Sequence, residues 1–547
     1  MAHFIELFGF LSVLLRAITL AFQSLTIGGV IFSLCVVHPL SSGYPLHKEI
    51  LLQSCRKRII WFALCLIVAQ SFLVTANSVV LMATAKLPLA EVVGANFFLA
   101  GTVVIVVALG VVLVCSSSRT GWWLLLFLSV VLISASVVLS HAASRVQDRW
   151  VLGVMTALHQ MATGSWIGGL PYLLLALKHS AELDLLQRIS QRFSNLAQIS
   201  VAILFLAGLT LSLFYVDSFS ALYGTAYGAM VASKAFLFGE LLLLGALNFY
   251  VVRGVRLDAA RLLTRLRCFA EAEVGIGFTV ILAAASLTSV PPAVDLKVGR
   301  VTAKEIVERM TPRWPRLHSP RVDELSEPTL EKLRKAAVQG SPLPDSYVLG
   351  GAVATPNTPA DIAWSEYNHH WAGLVVLAIG LLAVAWRTGY VPWARHWPLL
   401  FLVLAAFLFL RADPENWPLG PNGFFESFAN SEVLQHRAFV LLIIAFALFE
   451  WGVRTERIRS ERAVLVFPAV CSLGGALLLT HSHALQNIKE ELLAELTHVP
   501  LALLGITAGW ARWLEIRLPP AARKVPSWIW PVCFVLVGLL LMLYRES

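Results

Sequence analysis

The sequence alternates long apolar stretches with short polar connections, and fourteen of these stretches are long enough to cross about 30 Å of hydrocarbon. Backbone in lipid must be satisfied internally, and the stretches lack the alternating pattern of membrane barrel strands, so the spans are predicted to be helices. The pattern predicts an all-α, polytopic integral membrane bundle. The predicted spans are 8–37, 57–83, 92–115, 121–142, 150–178, 192–216, 225–251, 268–290, 370–387, 394–411, 433–453, 463–481, 491–513 and 527–544.

One substantial polar segment interrupts this series and divides the chain into an eight-helix block and a six-helix block. Within it, Thr302-x-x-Glu305 predicts a capping box opening a short helix that ends near Met310, and Ser326-Glu327-Pro328 predicts the start of a second helix. We therefore expect three domains, at 1–290, 291–367 and 368–547.

Basic residues in the short loops orient the bundle. Arginine and lysine cluster at 56–58, 253–267 and 454–462, in loops that follow odd-numbered spans, which predicts that these loops are cytoplasmic. Both termini and the 291–367 segment are then outside. No basic, cleavable leader is evident at the N-terminus, and we expect a multi-pass protein of the bacterial inner membrane.

Composition excludes several function classes. The 547 residues are 58% hydrophobic and only 14% charged, with a mean hydropathy of +0.74, so the natural partner is a lipid bilayer. The net charge of +9 is an orientation signal, and no nucleic-acid partner is expected. Seven cysteines without a CxxC pair argue against a disulfide framework or covalent haem. No nucleophile–base constellation, HExxH or P-loop is present, so no catalytic residue is predicted, although a redox subunit stays open.

Histidines carry the clearest candidate chemistry, because ten of the fourteen fall on the predicted outer side. Two helical hairpins repeat one design. Ser140-His141-Ala142 ends the fourth span and His159 follows in the fifth, while Ser482-His483-Ala484 ends the twelfth span and His498 follows in the thirteenth. Facing imidazoles suit a metal ion or an axially ligated haem, although histidines at an interface also simply hydrogen-bond to headgroups or water.

Met155 lies one turn before His159 on the same helix face. A thioether beside an imidazole suits Cu(I), which predicts a metal site formed by His141, His159 and Met155. The alternative is that Met155 fills a gap in the core, as methionines usually do.

The six-helix block offers a second set of candidate ligands. His436, His498 and either His481 or His483 are predicted to bind haem b, with His370 or its neighbour His369 and with Arg437 pairing a propionate. Arg411, Asp413 and Glu415 are expected to form a solvated turn.

The run His159-x6-Trp166-x-Gly168-Gly169-Leu170 resembles the signature of the copper resistance protein D (CopD) family. Further elements of that resemblance follow across spans 1–8, about residues 1–292, whereas the six-helix block is not recognised. The further matching elements are Ser140-His141-Ala142, Arg192-Phe193-Ser194, Thr225-x-Tyr227-Gly228, Lys234, Asn248, Glu273 and Pro291-Pro292. The resemblance implies an inner-membrane protein of copper uptake or homeostasis.

Physical roles can be expected for several of these motif residues. Gly168 and Gly169 would let a helix approach closely, and Trp166 would wall a site or anchor at an interface. Lys234 is deep enough in its span to need a partner, for which Glu240 and Glu273 are candidates.

Two functions of different classes remain at this point. The first is copper handling, in which outer histidines capture copper, received from a periplasmic carrier, and pass it into or across the membrane. The second is electron transfer, in which paired histidines bind b-type haem between a quinol and an outer redox partner.

Overall fold

The structure is a computed structural model, and it describes residues 2–40, 44–117, 121–179, 182–254, 259–288, 290–297, 299–321, 325, 358–413, 416–420, 422–427, 431–480 and 489–546. These residues contain helices and no strand, so the predicted all-α fold is confirmed. The chain divides into two compact units, unit 1 at Met1–Arg300 and unit 2 at Val301–Ser547.

The part of unit 1 that the structure describes contains nine principal helices. They are α1 (Ala2–Phe32), α2 (Pro45–Ala85), α3 (Asn96–Ser116), α4 (Trp122–Val138), α5 (Arg149–Trp166), α6 (Leu170–His179), α7 (Leu183–Tyr215), α8 (Ala226–Gly254) and α9 (Ala259–Leu287). A π-helical turn at Ser33–Val37 continues α1, and helices of four to six residues lie at Leu89–Val93, His141–Ser144 and Phe219–Gly224. The helix α1 packs against α2, α5 and α9, which places it at the centre of the unit.

The predicted fifth span is broken. Residues 150–178 form α5 and α6, with the break at Ile167–Gly169, where two consecutive glycines interrupt the apolar run. The break leaves Trp166 as the last residue of α5, where its side chain is 2% exposed.

The described residues of unit 2 form seven principal helices. They are α10 (Ala303–Met310), α11 (Pro359–Thr388), α12 (Leu400–Arg411), α13 (Ser431–Arg454), α14 (Val466–Thr480), α15 (Lys489–Arg517) and α16 (Lys524–Met542). The capping box predicted at Thr302 and Glu305 is present at the start of α10. The second predicted loop helix, after Ser326, lies outside the described residues. A core of Trp397, Phe467 and Trp530 holds α13 to α16 together, and all three side chains are at most 1% exposed.

Ten helices of the described residues are long and apolar enough to cross a membrane, and two shorter apolar helices lie at Trp122–Val138 and Ala463–Leu479. Each of the fourteen predicted spans coincides with a helix or a pair of helices. The chain is therefore an all-α polytopic membrane protein.

Candidate functional site

A buried carboxylate lies where the signature residues of unit 1 converge. Glu273 of α9 is 3% exposed, and the side-chain amide of Asn248 on α8 donates a hydrogen bond to it. The indole N–H of Trp166, at the end of α5, donates a second hydrogen bond to the same carboxylate. Three helices are thus joined through one acidic side chain, and the two donors offset part of the cost of burying it.

A cavity of about 540 Å³ adjoins this carboxylate. Its walls are mostly apolar, and they include Phe193, Phe205 and Phe238 as well as Trp166. Ser190 and Asn248 also line it, and each has a buried side-chain oxygen without a hydrogen-bond partner among the described residues. The cavity therefore combines an apolar body with a few acceptor groups around Glu273.

Close backbone contact at the signature glycines fixes the position of Trp166. A Cβ atom added at Gly168 would overlap the backbone carbonyl of Ser24 on α1, and one added at Gly28 would overlap Gly168. Such contact between helices is possible only where side chains are absent. The position of Gly28 in this crossing was not predicted, because it lies outside the recognised motif.

His159 lies on α5 about two turns before Trp166. Its imidazole packs against Gly208 of α7, where an added Cβ atom would be 3.5 Å from Cε1 of the ring. The Nδ1 atom is buried without a hydrogen-bond partner among the described residues. Met155 precedes it by one turn and is half-buried.

Lys234 of α8 acts electrostatically on His159. It has no ion pair to Glu273 among the described residues, and the structure instead joins Glu273 to Trp166 and Asn248. The pairing of Lys234 with Glu273 that the sequence offered as an alternative is therefore not found.

His141 has different neighbours from His159. Its Nε2 atom is 3.0 Å from the carbonyl oxygen of Leu287, and its ring lies 6.4 Å from the rings of Tyr215 and Tyr227. His159 packs at Gly208 and His141 at Tyr215, and seven residues of α7 correspond to about 10 Å along the helix. The two imidazoles thus lie at different depths.

In unit 2 the structure places His369, rather than His370, next to His498. The rings of His369 and His498 are 5.8 Å apart. His370 is instead tied to backbone, because its Nδ1 accepts a 2.7 Å hydrogen bond from the N–H of Arg316 and its Nε2 lies 2.9 Å from the carbonyl oxygen of Tyr544. Both of its nitrogens are used, so His369 replaces His370 as the candidate ligand. His481 and His483 lie outside the described residues.

Tyr544 forms the third side of this histidine pair. Its ring stacks on that of His369 at 3.7 Å, and its hydroxyl donates a 2.5 Å hydrogen bond to the carboxylate of Glu546. A carboxylate oxygen accepts this bond, so the Tyr544 hydroxyl keeps its proton as the donor. With aromatic rings packed this closely, the pair as it stands has no gap for a haem macrocycle, which is about 10 Å across.

His436 and Arg437 have a structural role in the turn between α12 and α13. His436 Nδ1 lies 2.7 Å from a carboxylate oxygen of Asp413, and Arg437 donates to the backbone carbonyls of Phe409 and Trp417. Asp413 is 8% exposed, so the expectation of a solvated turn is wrong at this residue. The expectation failed because the acidic side chain folds back onto two basic residues that follow it by more than twenty positions.

A buried charge cluster at one end of unit 2 was not predicted. Arg454 pairs with Glu450 at 2.6 Å, and Glu515 pairs with Arg512 at 2.6 Å and Arg387 at 2.8 Å. The sequence placed Arg454 among the loop charges that orient the protein, whereas its side chain is only 4% exposed. These ion pairs compensate one another where α11, α13 and α15 meet, and removing one partner would leave the opposite charge buried and unpaired.

Comparisons with known proteins agree with the resemblance seen in the sequence. A family model described as CopD, copper resistance protein D, matches residues 187–287. The chain is 32% identical over 163 residues to copper transport protein CutJ of Bacillus subtilis (strain 168). That similarity spans 29% of this chain and 29% of the relative, and no solved structure matches.

The family match covers helices that carry several of the recognised residues, whereas the signature run from His159 to Leu170 precedes it. It spans most of α7 and the whole of α8 and α9, and so includes Lys234, Asn248 and Glu273. The predicted resemblance is confirmed: this chain is similar, over residues 187–287, to the copper resistance protein D family.

Proposed function

We propose that this chain is a copper homeostasis protein of the bacterial inner membrane that binds copper through outer-face histidines and moves it into or across the bilayer. The observation that carries the proposal is the family match over α7–α9, since α7 packs against the helix that carries His159 and residues of all three helices surround His141. The similar protein from Bacillus subtilis is also described by copper transport. A periplasmic copper carrier would be the donor.

His159 is the proposed central ligand. A buried Nδ1 atom without a hydrogen-bond partner among the described residues is costly unless something occupies it, and a metal ion would use its lone pair. Met155 lies on the same helix face and offers a soft sulfur atom. Imidazole with thioether favours Cu(I) over Mg²⁺ or Ca²⁺, which prefer oxygen.

His141 is the proposed outer ligand of the same path. Because it lies about 10 Å along α7 from the level of His159, the two imidazoles suit successive positions of one ion better than a single site. A single site shared by both histidines would require movement of the His141–Ser144 helix, which is only four residues long.

The proposal is tested by copper binding to the purified full chain, made without a histidine tag. Elemental analysis of protein reconstituted with Cu(I) should show bound copper, and His159→Ala should remove it from unit 1. Met155→Ala should weaken copper binding at the same site. Met155→Leu fills a similar volume without the sulfur atom, so it distinguishes loss of a ligand from loss of a packing contact. A wild-type protein that binds no copper would contradict the proposal.

The alternative of a haem-binding electron-transfer subunit is decided by the same preparation. An absorption spectrum of the reduced protein with a Soret band and sharp α and β bands would establish haem. Copper without those bands supports the proposed function.

A further inference from the structure

A pair of histidines in unit 2 has the geometry of a metal site. His369 lies on α11 and His498 on α15, so two separate helices hold the two imidazoles. The ring centroids are 5.8 Å apart with an angle of 69° between the planes. The pair is independent of the unit 1 residues, because both of its helices belong to unit 2.

The hydrogen bonding of His369 leaves one nitrogen suited to a metal. Its Nδ1 lies 2.8 Å from the backbone carbonyl oxygen of Ser365. A carbonyl oxygen only accepts, so Nδ1 carries the proton and Nε2 carries the lone pair. Metal-binding histidines usually have this arrangement, in which a backbone carbonyl fixes the tautomer and orients the ring. Nε2 makes no hydrogen bond among the described residues.

The surroundings hold the His369 ring in place. Tyr544 stacks on it at 3.7 Å, and the Tyr544 backbone is fixed in turn by His370. The hydroxyl groups of Tyr544 and Ser365 both donate to the carboxylate of Glu546, at 2.5 Å and 2.6 Å. The first ligand is thus preorganised by its neighbours, which lowers the cost of binding an ion.

The number of available ligands determines which metal ion the histidine pair would bind. Metal–imidazole nitrogen distances are about 2 Å, so two nitrogens on one ion lie at most about 4 Å apart, a separation that ring centroids 5.8 Å apart allow. Zinc sites usually need four ligands, and no group of three or more histidine, cysteine or acidic side chains is placed for a metal within the described part of the chain. Two imidazoles suit Cu(I), which is stable with two ligands.

We propose that His369 and His498 bind one Cu(I) ion in unit 2, separately from the copper path of unit 1. This inference rests on the proposed copper function and extends it to a second site. Copper reaching this site would be retained by two imidazoles, one of them held in place by its neighbours, whereas the unit 1 ligands lie at successive depths. Unit 2 would then act as a holding site for copper.

Titration of the full chain with Cu(I) against a chromophoric Cu(I) chelator, without oxygen, tests the proposal. His369→Ala and His498→Ala should each lose one equivalent of Cu(I), and the double variant should lose no more than either single variant. His396→Ala is the matched control, because His396 accepts a 2.8 Å hydrogen bond from Trp451 and has no histidine partner in the described structure. It should retain full stoichiometry.

A substitution that restores a ligand atom shows whether His498 binds the metal or only supports the fold. His498→Met should keep the equivalent of Cu(I), because a thioether also binds this ion. Full stoichiometry in both alanine variants would overturn the unit 2 site, and so would a loss that His498→Met fails to restore in protein that remains folded by circular dichroism.

The outcome is distinguishable from failure of the proposed function. If His159→Ala loses copper while His369→Ala does not, the copper function stands and the unit 2 site is wrong. If the wild-type chain binds no Cu(I) at all, both are wrong.

Discussion

Glu273 is an acidic residue within a membrane-spanning helix, 3% exposed, and it is held by the indole of Trp166 and the amide of Asn248. Removing the carboxylate leaves both of these buried donors without an acceptor, which costs about 1–3 kcal/mol for such a group. The three residues belong to three helices, so the contact stabilises their mutual arrangement as well as the acid itself.

We therefore expect Glu273→Ala to lower the free energy of unfolding by about 1–3 kcal/mol. Glu273→Gln should cost much less, because the new amide keeps an acceptor for Trp166 and gains a donor for the buried oxygen of Asn248. Thermal unfolding of the full chain in detergent measures both. Equal destabilisation by the two variants would show that negative charge, rather than hydrogen bonding, matters at this position.

The charge of Lys234 should affect copper binding at the proposed ligand His159. A positive charge near His159 opposes the binding of a cation, and at an effective dielectric constant of about 20 such repulsion is on the order of 1 kcal/mol. Lys234→Met should therefore tighten copper binding about tenfold. Lys234→Arg keeps the charge and should leave the affinity near that of the wild type. Weaker binding in Lys234→Met would instead indicate that the lysine supports the site.

At the residue scale, the sequence predicted which side chains matter better than it predicted their partners. Trp166 and Glu273 were both singled out, but their contact depends on the break at the end of α5, which hydropathy does not reveal. Likewise His369 and His370 point about 100° apart on one helix, and only the packing of α15 and Tyr544 decides which of them meets His498.

The close contact between helices α1 and α5 depends directly on which residue the sequence places at the crossing. Gly168 meets the backbone of α1 at Ser24 so closely that no side chain fits. The crossing also positions Trp166 for its hydrogen bond with Glu273. A substitution at Gly168 should therefore disturb that hydrogen bond as well.

Gly168→Ala should destabilise the protein by about 1–3 kcal/mol, because the added methyl group overlaps backbone that cannot move independently. Gly239→Ala is the matched control, since an added Cβ at Gly239 of α8 meets nothing within 4 Å. The control should be neutral or slightly stabilising, as alanine has the better helix propensity. Thermal unfolding in detergent compares them, and equal effects would contradict the close crossing.

The turn between α12 and α13 provides a second test at this scale. Asp413 accepts from His436 and faces Arg437, so Asp413→Ala should cost about 1.5–3 kcal/mol, as for hydrogen bonds to charged groups. Asp184→Ala removes an exposed pair with Arg188 and an exposed hydrogen bond from Tyr44, and it should cost under about 1 kcal/mol. Thermal unfolding again measures both, and a similar small loss in both would mean that the Asp413 contacts contribute little.

At the scale of the whole molecule, hydropathy was sufficient to predict an all-α membrane protein, because burying unpaired backbone in lipid leaves helices as the available structure. Hydropathy was not sufficient to predict the irregular features of the fold. The break between α5 and α6 and the burial of Arg454 both depend on contacts between distant segments, which a local property of the sequence does not encode.

The orientation of the molecule in the membrane stays a prediction from its loop charges. In a cysteine-free protein, Ser341→Cys should be labelled in intact cells by a reagent that does not cross the membrane, because the 291–367 segment is predicted to be outside. A cysteine placed at Lys57, at the predicted cytoplasmic end of the second span, should be labelled only after the membrane is broken. The reverse pattern would place the proposed copper-capturing histidines on the wrong face.

The central claim is that this protein moves copper through His159, and copper entry into proteoliposomes tests it most directly. Vesicles containing the purified full chain and a trapped Cu(I) chelator should accumulate copper faster than protein-free vesicles. His159→Ala should reduce the rate to that of protein-free vesicles, whereas Gly239→Ala should leave it unchanged. Equal entry in wild-type and His159→Ala vesicles, or no entry above the protein-free rate, would contradict the account.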